Sequence, residues 1–223
     1  MLIACWSAKG GVGVTVVVAA LAQRLATASL SGPAPTAPPP VLAVDLAGDL
    51  PAVLGVADHT GPGVADWLAA APDAPSDAID RLSVDLGGGL ALLPTGAGPL
   101  PAGGGEHLAA ALASSGRAVV VDCGSSPTGA ALAVASAARR SVLVVRLCYL
   151  AIRRGFEFPL DPSEVIVVEE PMRALTCADV ERVLGAPVTA RIPLHPAVGR
   201  AVDAGSLLRR MPHSLSHSLR SAA

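Results

Sequence analysis

Apolar residues along this chain fall into short unbroken runs, separated by longer stretches where they recur every three or four positions. Leu2-Ile3-Ala4-Cys5-Trp6, Val41 to Val44, Ala118 to Val121, Ser141 to Arg146, Val165 to Val168 and Val188 to Ile192 predict strands. Apart from the last, which alternates, these runs are almost wholly apolar, as expected of parallel strands covered on both faces. Leu82 to Leu93 holds two further strand-like pieces. Helical spacing predicts helices over 16–30 (Gln23 and Arg24 on the wet side), 51–56, 64–71, 106–114, 130–139, 149–154 and 176–184, the last opened by a Thr cap. Strands alternating with helices predict an α/β fold, doubly wound around a mostly parallel central sheet.

At 223 residues the chain suits one domain, 1–223, closed by a tail or helix over 206–223. The Pro-rich segment Ser31 to Pro40 reads as a stiff surface connection, too close to the first strand to be a domain boundary. The 52% hydrophobic content comes with only 2% aromatic residues, so the core is built from Val, Leu and Ala. That composition excludes a disordered chain. No apolar run of membrane length escapes Pro and Gly clusters, and the start lacks a signal-peptide pattern, so a cytoplasmic protein is expected. Cys5, Cys123, Cys148 and Cys177 lack metal or redox spacing and read as buried thiols. Residues 1–111 carry three basic and nine acidic side chains, residues 112–223 thirteen and nine. A basic half can meet DNA or anionic lipid, or simply remain solvated.

The first strand runs into Ser7-Ala8-Lys9-Gly10-Gly11-Val12-Gly13-Val14-Thr15, directly before the first long helix. Strand, glycine turn and helix start are the setting in which backbone N–H groups cradle a phosphate, assisted by the helix dipole. The usual phosphate loop closes on Gly-Lys-[Ser/Thr]. Here Val14 stands at the Lys position, while Thr15, the expected Mg²⁺-side hydroxyl, is kept. Lys9 is the only lysine in the chain. An ammonium on a slim stem can cross a dimer interface toward a phosphate, where a planar guanidinium fits differently. A solvated Lys on a surface turn is the plainer account.

Lys9-Gly10-Gly11-Val12-Gly13-x-Thr15 resembles the deviant Walker A motif of the MinD/ParA family of P-loop ATPases. The missing later Lys resembles the CpaE/TadZ branch, which localises pilus-assembly machinery at cell poles. The resemblance implies a P-loop NTPase fold, a homodimer, and ATP or ADP with Mg²⁺ as cofactor. It implies that Lys9 reaches the nucleotide of the partner subunit and that Gly10, Gly11, Val12, Gly13, Val14 and Thr15 bind the cofactor. Asp122, followed by Pro127, would join Thr15 at the Mg²⁺, and Asp45 matches the first acid of the family's Asp-x-Asp switch, a catalytic position. The second switch acid, which orients the attacking water, falls at Ala47; Asp49 substitutes only if the loop is re-registered. Gly48-Asp49-Leu50 resembles the CpaE/TadZ version of this turn. The late turn Ile192-Pro193-Leu194-His195-Pro196 matches one that commonly lies near the base, making Pro193 a cofactor contact. The family's base-reading Asn is absent, and Glu169-Glu170-Pro171 in its place reads as an exposed acidic loop. The function implied is positioning of a cellular assembly (pilus or secretion, division or partition machinery) through a protein partner, with recruitment to a pole or membrane.

The residues alone carry part of this. Asp45 and Asp122 end two neighbouring strand candidates at the carboxyl edge of the sheet, where ligands of such folds sit. Mg²⁺ needs few carboxylates, although a strand-end Asp also serves as a plain helix cap. Phosphoryl transfer depends on positioning and charge neutralisation, so the departures from the family's pattern, Val14 for Lys and Ala47 for the second switch acid, imply through the resemblance weak or absent hydrolysis. The tail sets Leu207, Leu208, Met211, Leu215 and Leu219 near one side, interrupted by Pro212, and reads as a helix packing on its own domain, or a frayed end, more readily than as a membrane helix. Two other classes compete. A scaffold could keep the fold without nucleotide, and a Rossmann-type oxidoreductase could use Gly11-Val12-Gly13 with Asp45, though its third glycine would fall at Val16.

Overall fold

The computed structural model describes residues 1–30, 40–56, 61–70, 74–75, 77–220 and 222; the Pro-rich connection lies outside them except for Pro40. The apolar runs form β1 (Leu2–Ser7), β2 (Val41–Asp45), β3 (Val84–Gly87), β4 (Leu90–Leu93), β5 (Ala118–Ser125), β6 (Arg140–Arg146), β7 (Glu164–Glu169) and β8 (Val188–Pro193). They make one eight-stranded sheet in the order β3-β4-β2-β5-β1-β6-β7-β8. Every neighbouring pair is parallel except β3 with β4. The two strand-like pieces expected before residue 93 are thus an antiparallel hairpin, turned by Gly87, Gly88 and Gly89 at positive φ.

Helices cover both faces: α1 (Val14–Ser29), α2 (Leu50–Leu54), α3 (Val64–Ala69), α4 (Ala78–Leu82), α5 (Gly105–Ser114), α6 (Gly129–Ala137), α7 (Tyr149–Glu157), α8 (Cys177–Leu184), α9 (Pro196–Asp203) and α10 (His213–Ser218). The sheet separates two cores, and the two-residue period of a strand sorts β1 between them. Leu2, Ala4 and Trp6 join the face that carries α5 and α6, whereas Ile3 and Cys5 join the face of α1. Trp6 is fully buried, donates to the Ser141 hydroxyl at 3.0 Å and rests against Phe158. All six residues of β1 are buried, which is why that run carries no polar alternation.

Two helices escaped the pattern. α4 is a single short turn, and α9 follows the late Ile-Pro turn at once, with the His195 ring accepting from the Ala197 N–H at its start. The tail does pack on its own domain: Leu207, Leu215 and Leu219 are no more than 1% exposed, in the core beside α1. Gln23 donates to the Leu208 carbonyl, and Arg140, paired with Glu164 at 2.6 Å, also reaches the Ala222 carbonyl. Among the described residues no helix is long and apolar enough to cross a membrane.

The sheet order corrects the oxidoreductase reading. In the dinucleotide fold the second strand lies beside the first. Here β5 stands between β1 and β2, so Asp45 does not follow a strand adjoining the glycine loop.

Candidate functional site

At the carboxyl edge of the sheet, β1 ends in the glycine loop and α1 departs from it. Gly11 and Gly13 take φ values of 74° and 96°, a left-handed region that disfavours side chains. Gly13 is the residue before α1, and no side chain caps the helix. The first amides of α1 are therefore without the usual side-chain acceptor and offer their N–H groups to an anion. Ser7 Oγ donates to the Lys9 carbonyl at 3.0 Å, and Val12 is buried, which fixes the loop at both shoulders. The loop opens on a cavity of about 1000 Å³, lined from Gly10 to Val16 on this side.

Val14 lines that cavity and packs into the core under α1, only 6% exposed. The loop thus offers backbone N–H groups where the usual pattern adds an ammonium. Lys9 is half-exposed, is not part of the cavity wall of its own chain, and makes no ion pair among the described residues. The only basic residue of the motif is left with its charge free.

Asp45 and Asp122 are direct neighbours across β2 and β5, and both are fully buried. Their roles differ. Asp45 Oδ1 accepts from the N–H groups of Ala47 at 2.9 Å and Gly48 at 2.8 Å, and Oδ2 from Leu50 at 3.3 Å. Burial raises its pKa against the pull of these amides. A carboxylate with three backbone donors shapes the turn into α2, and neither Asp45 nor Asp122 belongs to the cavity wall. Asp122 Oδ1 accepts from Gly124 N–H at 2.9 Å, and among the described residues Oδ2 has no hydrogen-bond partner. Burial pushes the Asp122 carboxyl up to about 6; the nearby Thr15 hydroxyl and Gly124 N–H oppose this, and the charges of Asp45 and Asp49 add to it. Thr15 influences the carboxylate without completing a bond to Oδ2.

The structure adds wall residues that the sequence did not single out. Ser125 at the end of β5 and Ser126, Pro127 and Thr128 after it all stand in the cavity wall. Ser126 sits at φ 50°, donates its N–H to the Ser7 carbonyl at 2.6 Å, and ties this loop to the phosphate loop. The Gly124-Ser-Ser-Pro-Thr-Gly129 run after a strand is the sequence signal for this loop. Val202 and Asp203 of α9 line the cavity from the far end of the chain. No local pattern announces that approach. Pro193 ends β8 outside the wall, paired with Glu169. Glu170 is not an exposed acidic loop: its side chain is 14% exposed, and it pairs with Arg146 at 2.7 Å and with Arg173. Cys5, Cys123 and Cys177 are buried as expected, whereas Cys148 is half-buried.

The wall suits a magnesium nucleotide. The uncapped start of α1 borders an open cavity, the Thr15 hydroxyl in its wall lies near Asp122, and Asp122, buried outside the wall, keeps one oxygen without a donor among the described residues. Such an orphaned oxygen is costly unless a cation or water meets it. Among the described residues no three His, Cys, Asp or Glu side chains gather.

No protein-family model matches the chain, and no curated protein matches it. Among solved structures it is similar to a ParA family ATPase from Chlorobium tepidum, with 22% identity, a TM-score of 0.75 and coverage of 98% of this chain and 96% of that one. It is similar to the septum site-determining protein MinD of Pyrococcus horikoshii in complex with Mg-ADP, at 19% identity and TM-score 0.78, covering 97% of this chain and 91% of that one. A McdA variant from Cyanothece, in complex with ATP, is 16% identical at TM-score 0.72, over 99% and 96% of the two chains. The likeness establishes the fold, a mostly parallel eight-stranded sheet flanked by helices as in these proteins.

Proposed function

We propose that this protein is a MinD/ParA-like nucleotide-binding protein of the CpaE/TadZ kind, which positions a cellular assembly through partners with little or no ATP hydrolysis. One observation carries the reading: a left-handed glycine loop with an uncapped helix start opens on a cavity beside a buried, half-satisfied carboxylate. In this reading Gly10 to Thr15 hold the phosphates of ATP or ADP, and Thr15 with Asp122 holds Mg²⁺, which neutralises phosphate charge when bound. Lys9, outside its own cavity wall, reaches the nucleotide of a second copy, so the active form is a homodimer. Asp45 sets the geometry of the switch turn, and Pro193 stands near the base. The fold neighbours include proteins solved with Mg-ADP and with ATP. Weak hydrolysis follows from two features: Val14 supplies no phosphate-binding charge, and Ala47 cannot orient water.

Positioning implies a protein partner and a cytoplasmic protein recruited to a pole or a membrane; the assembly it places is pilus or secretion, division or partition machinery. A fluorescent fusion in the native cell tests this. Discrete foci that disperse when one neighbouring gene is deleted are expected, and a uniform signal insensitive to such deletions contradicts the reading. A scaffold that binds no nucleotide is the second reading, favoured by the burial of Val14 in the core. It predicts the same foci with no change on substituting Lys9 or Thr15.

A further inference from the structure

We propose that the Ser125 and Thr128 hydroxyls bind the phosphate groups held at the glycine loop, acting as neutral donors where Val14 supplies no ammonium. This rests on reading the cavity as a nucleotide site and adds two side-chain ligands to it. Among the described residues no Lys, Arg or His lines the cavity, and its charged residues are the acids Asp49 and Asp203. Within one chain, the donors to an anion there are therefore backbone N–H groups and hydroxyls. The wall holds five hydroxyl side chains, and their hydrogen bonds sort them. Ser7 Oγ donates to the Lys9 carbonyl at 3.0 Å, Ser126 Oγ to the Ala8 carbonyl at 3.4 Å, and the Thr15 hydroxyl lies near Asp122. Ser125 and Thr128 make no side-chain hydrogen bond among the described residues.

The fold places both. Ser125 pairs with Ser7 across β5 and β1, and its Oγ comes within 3.7 Å of where a side chain on Gly10 would begin. The hydroxyl thus stands beside the glycine loop itself. The Ser126 N–H, bonded to the Ser7 carbonyl at 2.6 Å, fastens the two loops together at this point. Thr128 precedes α6 with φ −134° and ψ 169°, much like Thr176 before α8 at −112° and 166°. Thr176 uses its side chain in the usual way and accepts from the Asp179 N–H, capping its helix. Thr128 makes no such bond, and its exposed side chain borders the cavity. Its hydroxyl keeps its full donor capacity for a ligand. A hydroxyl donating to an ionised oxygen makes a bond roughly twice as strong as a neutral pair, so two of them offset part of the missing charge.

The test is calorimetric titration with ADP and with pyrophosphate, each in Mg²⁺, on the wild type, Ser125→Ala, Thr128→Val and Thr128→Ser. Val keeps the branching of Thr without the hydroxyl, and Ser keeps the hydroxyl. The proposal expects affinity for both ligands to fall roughly tenfold in Ser125→Ala and in Thr128→Val, and to change less than about threefold in Thr128→Ser. Thermal melting without ligand covers the plain structural role: Thr128→Val should shift the midpoint by less than about 1 °C, and a loss of about 2–4 °C makes Thr128 an ordinary helix cap and overturns its assignment. Undiminished binding of both ligands by Ser125→Ala and Thr128→Val overturns the proposal and leaves the nucleotide reading intact. Hydroxyl-dependent pyrophosphate binding without any ADP binding keeps the proposal and defeats the nucleotide reading. A wild type that binds neither ligand overturns both.

Discussion

Asp122 is a fully buried acid, and the size of the penalty for ionising it follows from its surroundings. Burial holds its carboxyl at about 6, against 3.8 for an ordinary Asp. At roughly 1.4 kcal/mol per pKa unit, ionising it inside the fold costs about 3 kcal/mol relative to the unfolded chain. The sign follows from the proton. The folded state holds the proton more tightly, so the penalty is absent below about pH 4, grows between pH 4 and 6, and is complete above. Asp122→Asn removes the titration while leaving an oxygen for the Gly124 N–H. Urea denaturation of both proteins in EDTA, at several pH values from 4 to 7.5, reads the effect. The stability difference should move by about 3 kcal/mol in favour of the variant as pH rises. Asp45 is shifted in the same direction, so the difference between the two proteins isolates Asp122 better than either curve alone. Parallel pH curves would refute the argument that Asp122 is an uncompensated buried acid.

Three other substitutions probe the frame around the site. Gly55→Ala should destabilise the protein by about 3 kcal/mol or more in urea titration, because a Cβ there would stand 1.8 Å from the Gly205 carbonyl oxygen at a φ of 71°. Val14→Lys should tighten ATP binding roughly ten- to hundredfold in calorimetry without restoring normal turnover, since position 47 still lacks an acid. Unchanged affinity would show that the Val14 site cannot deliver an ammonium to the cavity. Leu215→Ala, at 1% exposure in the tail, should cost about 2–4 kcal/mol; a cost near zero would contradict the tail's place in the core.

The sheet was legible because parallel strands covered on both faces leave unbroken apolar runs, as in β1 and β5. The glycine loop was equally plain, since left-handed positions such as Gly11 and Gly13 leave a residue-type signature. Side-chain division of labour was not. Asp45 and Asp122 both end buried strands, and only the chain path shows that one carboxylate meets three amides while the other keeps a bare oxygen. The contribution of Val202 and Asp203 depends on α9 meeting α2, where Gly55 and Gly205 touch backbone to backbone. Contacts of that sequence separation have no local period to read.

The most direct test of the account is nucleotide binding and turnover by the purified protein, measured together with its oligomeric state. Equilibrium binding of ATP with Mg²⁺, read alongside sedimentation, should give weak affinity that strengthens as dimer forms. Lys9→Ala should abolish that coupling, and phosphate release should stay near the buffer background. Brisk ATP hydrolysis that survives Lys9→Ala, or no binding of ATP or ADP at any protein concentration, would contradict the central claim.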